Sequence, residues 1–253
     1  MEQWAVAFVL VFTRIGALLM ATPVFRSTGV STRIRLVLGL ALAALAVTTL
    51  PSGYQPPPFG AALIPAVLWE MALGLGMGLA IQMVFAALTI AGEAVAVGMG
   101  LGFSTIVDPQ NGASVPTMSQ QFVLLATMLF IALNGHLLAL DMVHDSFRLL
   151  PPGDGGELSR GASALLDWAM SMYANALMLA LPVIAAMLLT NLAFGVVTRA
   201  APQLNVFAVG FPLMLLMGMA VVLVNIPNLL NATQGLFDEA FRASESIILE
   251  SQR

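Results

Sequence analysis

Apolar residues arrive along this chain in long blocks, not at the alternation of a half-buried strand. Six blocks stand out, at 4–22, 36–50, 62–91, 121–140, 162–190 and 206–226. A hydrocarbon core of about 30 Å takes about 20 apolar residues as helix, so the blocks predict an all-α membrane protein of about six long hydrophobic helical segments. The second block is short for a crossing, and the third and fifth are too long. Pro182 inside the fifth predicts a kink there. The tail follows a different rule. Phe237, Ala240, Phe241, Ser244, Ile247 and Ile248 recur at helical spacing, with Asp238, Glu239, Arg242 and Glu245 elsewhere around the wheel. This predicts a short amphipathic helix after the last span, its face suited either to a partner or to the lipid interface.

Composition fixes the class. Of 253 residues 59% are hydrophobic and 9% charged, with a mean hydropathy of +0.95, far outside the range of a soluble domain. Net charge is −4 and no lysine occurs, which leaves no nucleic-acid surface. The absence of cysteine removes disulfides, thiolate metal sites and thiol catalysis together. Glu2 stands where a signal peptide would carry positive charge and Arg14 interrupts the apolar run behind it, so the first block reads as an uncleaved span. Arg26, Arg33 and Arg35 assign the first connection to the cytoplasmic side, and the uncharged "PSGYQPPPFG" to the periplasmic side. Carried forward, this places the segment after the third block and "TRAAPQLN" in the cytoplasm, with both termini opposite.

The segment "GMGLGFSTIVDPQNG", 98–112, breaks the apolar pattern between the third and fourth blocks. Its four glycines, Asp108 and Pro109 specify irregular backbone where lipid offers no hydrogen bonds. Arg14, Glu70, Gln82, Glu93, Asn134, His136, Asn175 and Asn191 lie in or beside apolar blocks. Each ionisable one costs at least about 2.5 kcal/mol at the bilayer centre, so each should face protein or water. Internal pairing, contact between subunits and a pore all satisfy that demand. "GLGMG" adds Gly74 and Gly78, and Gly98 and Gly102 repeat the spacing that lets helix backbones approach closely.

Catalytic chemistry finds no residues. His136, Asp141, His144 and Asp145 lie within ten positions, but the histidines are eight apart and no zinc-ligand spacing follows, so no metal or other cofactor is expected. No nucleophile elbow, phosphate loop or dinucleotide fingerprint occurs, and an enzyme is not predicted. A small-solute transporter with a broken helix at 98–112 is the alternative to a channel subunit. The lack of a matching broken segment in the other half counts against it.

Several motifs together carry a resemblance: "FTRIGALLMATPVF", "STRIRL", "GFSTIVDPQNG", "LFIALNGHLLAL" and "DSFRLLP". Through them nearly the whole chain resembles the FliR family, export-gate proteins of the bacterial flagellum related to subunits of injectisomes. The resemblance implies a type III secretion channel at the flagellar basal body in the inner membrane. A single FliR-like subunit there closes a hetero-oligomeric ring of FliP and FliQ homologues, with an FlhB homologue on the cytoplasmic face and unfolded flagellar substrates passing through. It implies a FliP-like part over 1–161, a FliQ-like helical hairpin over 162–226 and an amphipathic tail over 227–253. It makes 98–118 a loop that plugs the resting pore beside a methionine ring of FliP. Phe103 and Ile106 would be its gasket, with Asp108, Pro109, Asn111 and Gly112 shaping the turn. Arg14, Glu70, Glu93, Asn134 and His136 would be buried polar residues of assembly.

Overall fold

A computed structural model describes residues 2–26, 29–51, 53–101, 117–200 and 206–251. Among them are eight α-helices and no strand: α1 (Glu2–Ala21), α2 (Pro23–Arg26), α3 (Thr32–Thr48), α4 (Leu63–Gly98), α5 (Thr117–Ala132), α6 (Gly135–Leu149), α7 (Leu158–Ala200) and α8 (Val206–Ser251). This is an all-α membrane protein. Four helices, α1, α4, α7 and α8, are long and apolar enough to cross a membrane, and a fifth crossing is available if α5 and α6 act as one broken span.

Three helices outrun the ruler used on the sequence. At 1.5 Å per residue, the 36 residues of α4 reach about 54 Å, the 43 of α7 about 65 Å and the 46 of α8 about 69 Å, all longer than a hydrocarbon core. Pro182 lies inside α7, and Pro212 and Pro227 inside α8, without ending either helix. Nor is the tail a separate short helix: 227–251 simply continues α8. Nothing in "NLLNATQGLFDE" stops it, because the lone Gly235 carries no following proline and keeps helical backbone.

The fourth apolar block is the clearest departure from the sequence pattern. It is two helices, bent by 64° at a break before Gly135. Asn134 takes the left-handed conformation at φ 55°, which asparagine tolerates better than most residues. A Cβ at position 135 would stand 2.5 Å from the Phe130 ring, so only glycine lets the ring close over the break.

The residues fall into two compact units. The first comprises Met1–Val84, Phe130–Ser171 and Phe237–Arg253, the second Phe85–Leu129 and Met172–Leu236. In the first, Val11, Ile15, Leu18 and Leu19 of α1 pack with Ala43, Ala46 and Val47 of α3. Leu73 and Met77 of α4, Val143 and Phe147 of α6 and Ile248 of α8 complete that core. Glycine sets the α1 to α4 distance: a Cβ at Gly74 would overlap the Arg14 carbonyl oxygen, and one at Gly78 would stand 2.5 Å from the Ala21 Cβ. Polar side chains pin two further helices to α4. The Trp168 indole N–H donates to the Ala80 carbonyl at 2.9 Å, and the Ser244 hydroxyl lies 3.3 Å from the Met77 carbonyl.

In the second unit, α4 and α5 approach as closely. A Cβ at Gly92 would meet the Ser119 backbone at 2.6 Å, and the Ser119 hydroxyl donates to the Thr89 carbonyl at 3.1 Å. Met99 fills the space that a side chain at Gly218 would need.

Candidate functional site

An arginine midway along α1 has no water to turn to. Its side chain and that of Glu70 on α4 are both fully buried, and they are each other's partner. The Arg14 Nε donates to Glu70 Oε2 at 2.6 Å and Nη2 donates to Oε1 at 3.1 Å, the two-pronged geometry that a planar guanidinium matches to a carboxylate. The remaining nitrogen, Nη1, faces the end of α6. It lies 3.1 Å from the Ser146 carbonyl, 3.0 Å from the Ser146 hydroxyl and 3.0 Å from the Leu150 carbonyl. The first carbonyl lies in the last turn of α6 and Leu150 caps the helix, an end whose partial negative charge favours a cation. The Ser146 hydroxyl spends its own proton on the Val143 carbonyl at 2.6 Å, which leaves a lone pair for the arginine. The Phe147 ring lies 4.6 Å beneath the guanidinium carbon and adds a cation–π contact.

Glu70 is completed from the chain that leaves α6. Gly153 donates its N–H to Glu70 Oε1 at 2.9 Å from a left-handed turn at φ 86°, where a Cβ would also collide with Pro57. Tyr54 closes the same corner by donating its hydroxyl to the Pro152 carbonyl at 2.6 Å. Burial raises the Tyr54 phenol well above its ordinary pKa, and the carboxylates of Glu70 and Asp154 push it further up. One ion pair thus joins α1, α4, the end of α6 and the turn that follows, with every charge met inside the chain.

The other polar positions are placed differently. Glu93 and Asn134 are exposed and His136 is half-buried, with its Nδ1 lacking a hydrogen-bond partner. Asn191 is exposed, while Gln82 and Asn175 are half-buried. His144 lies 3.5 Å from the Thr49 hydroxyl, Asp145 pairs loosely with Arg148 at 3.8 Å, and Asp141 is exposed. Among the described residues no three histidines or carboxylates gather at distances that would hold a metal ion. Phe103, Ile106, Asp108, Pro109, Asn111 and Gly112 lie outside the described residues.

Sequence reasoning picked out Arg14 and Glu70 by the cost of burying them, but not as partners. It missed Ser146, Leu150 and Gly153, because all three act through backbone atoms that every residue carries, and only Ser146 adds its side chain. It missed Tyr54 because aromatic residues at a membrane boundary are ordinary. The face of the tail is also settled: Phe237, Ala240, Ser244, Ile247 and Ile248 are buried within the first unit, Phe237 against the Phe130 ring at 5.0 Å, and Phe241 is half-buried. It covers this chain's own helices.

Residues 5–240 match the family described as bacterial export proteins, family 1. The chain is similar to the flagellar biosynthetic protein FliR of Pectobacterium carotovorum subsp. carotovorum, 34% identical over 99% of this chain and 95% of the relative. It is also similar to the protein of that name from Escherichia coli K12, 34% identical over 98% of this chain and 96% of the relative. For the Bacillus subtilis protein of that name the values are 32%, 90% and 91%. The family match runs through the buried pair, the broken fourth block and the start of the tail, and the chain belongs to the bacterial export protein family 1, the family of the flagellar FliR proteins.

Proposed function

We propose that this chain is a channel-forming subunit of the flagellar type III protein export gate. The chain is a component of the flagellar export apparatus and a multi-pass protein of the inner membrane. The finer reading gives it FliP and FliQ homologues as ring neighbours, an FlhB homologue on the cytoplasmic face and unfolded flagellar proteins as cargo. Its work is to line and seal a passage, not to catalyse a reaction. Residues 1–161 would play the FliP-like part, 162–226 the FliQ-like hairpin, and 98–118 the plug of the resting channel with Phe103 and Ile106 as gasket.

One observation supports an assembled state above a solitary one. Only 22% of the most apolar stretch of α7, and the same share of α8, is buried, against 56% for α1 and 61% for α4. Leu188, Leu189, Leu192, Leu216 and Val224 are more than half exposed. Helices of about 65 Å cannot hide such a surface wholly in a hydrocarbon core of about 30 Å, so neighbouring protein is the natural cover for the excess. Co-expression with FliP and FliQ homologues followed by extraction in mild detergent tests this. The expected product is a hetero-oligomer containing this chain. A monodisperse, protease-resistant monomer obtained without those neighbours overturns the proposal.

A further inference from the structure

In the first unit a groove of about 640 Å³ runs between α6 and the end of α8. Met142, Phe241 and Ile248 form its apolar floor, with Leu138 and Leu149 along one side. Asp141, Asp145, Asp238 and Glu245 stand around it, against a single cation, Arg242. Four of the chain's thirteen acids therefore surround one opening. Asp145 has only its loose contact to Arg148, and Asp141, Asp238 and Glu245 make no ion pair among the described residues.

We propose that this groove docks a basic amphipathic helix from another protein. An apolar trough with a flexible methionine in its floor accepts the buried side chains of such a helix, and the acidic rim meets lysine or arginine on its flanks. Complementary charge of this kind fixes orientation and speeds encounter more than it adds affinity. A second copy of this chain does not fit, because it has no lysine and none of its described helices carries more than two arginines. An anionic lipid headgroup would be repelled by the rim.

The test uses the full chain, extracted with whatever subunits accompany it and placed in zwitterionic nanodiscs. The probe is a fluorescein-labelled leucine–lysine amphipathic peptide of about 18 residues, or five helical turns. Binding is read as fluorescence anisotropy after subtraction of empty nanodiscs. Asp141→Asn with Asp238→Asn and Glu245→Gln should raise Kd about tenfold or more, while Arg242→Gln should lower it about threefold. Glu2→Gln with Asp167→Asn, exposed acids outside the groove, should leave Kd unchanged. A leucine–glutamate peptide of the same length should not bind. Failure of the lysine peptide to bind the unaltered protein overturns the proposal, as does equal binding by the triple variant or an equal loss in the Glu2 and Asp167 control.

Discussion

Gly74 of α4 packs directly on the carbonyl oxygen of Arg14, so the turn of α1 that carries the buried cation is also a turn where the α4 backbone comes too close to admit a side chain. A Cβ at Gly74 would overlap that oxygen and stand 2.8 Å from the Ala17 Cβ. Backbone cannot move aside as a flexible side-chain tip can. Gly74→Ala should therefore destabilise by about 1–3 kcal/mol, the usual cost of overpacking, and Gly74→Leu by more. Thermal loss of the monodisperse peak in detergent measures it, and an unchanged midpoint for Gly74→Leu would show that α1 and α4 do not meet here.

Arg14→Leu should destabilise by about 3–5 kcal/mol, because it leaves the Glu70 carboxylate buried without its cation. The double replacement Arg14→Leu with Glu70→Leu should recover much of the loss, since no uncompensated charge then remains. Recovery separates a paired charge from an arginine needed only for its bulk. A double variant no better than the single one would mean that contacts to the end of α6 carry the effect instead.

Tyr54 gives a prediction in pH. Its folded pKa lies above the ordinary value of 10.0, so the folded protein keeps a phenolic proton that the unfolded chain releases. The stability this brings is fully present below about pH 10 and is lost as pH rises beyond it. Melting temperature should fall more steeply above pH 10 for the native protein than for Tyr54→Phe. At pH 8 the same replacement should cost about 1 kcal/mol, the worth of the bond to Pro152. Parallel curves for the two proteins across pH 8 to about 11 would contradict the assignment.

The plug proposal makes a conductance prediction. Deleting 103–116 and bridging with a short Gly-Ser link leaves α4 and α5 intact and removes Phe103 and Ile106. The assembled complex should then leak ions at rest, because an apolar constriction closes a pore by excluding water. A cysteine placed at Phe103 would be the chain's first, so crosslinking to one placed in the FliP methionine ring reads proximity directly. An assembled deletion variant with unchanged conductance, and no crosslink, would make 98–118 an ordinary connection.

What the sequence discloses here depends on whether a signal is local. Burial cost is local: Arg14 and Glu70 are conspicuous in apolar surroundings wherever they end up. Partnership is not, because 56 positions separate the pair and the last turn of α6 lies 132 positions from Arg14. The spacing of Gly74 and Gly78 signalled a close helix contact, yet no periodicity names α1 as the neighbour. The break at Asn134 hid for a related reason. Hydropathy is continuous across it, and only the Phe130 ring lying over Gly135 reveals why the helix stops. The continuous α8 went unread because its composition changes at the tail while its backbone does not.

The packing of the tail has a consequence for how the protein is made. Residues 237–251 belong to the same compact unit as α1, and Ile247 and Ser244 lie against Gly76 and Met77 of α4. Synthesis runs from the N-terminus, so α1, α3 and α4 emerge long before the residues that cover this side of their core. The ion pair of Arg14 and Glu70 forms from segments that emerge early, and its two charges can neutralise each other in that interval. A ribosome that stalled before residue 237 would release helices already paired at the centre but open along one flank, a surface by which membrane proteases can tell an unfinished chain from a finished one.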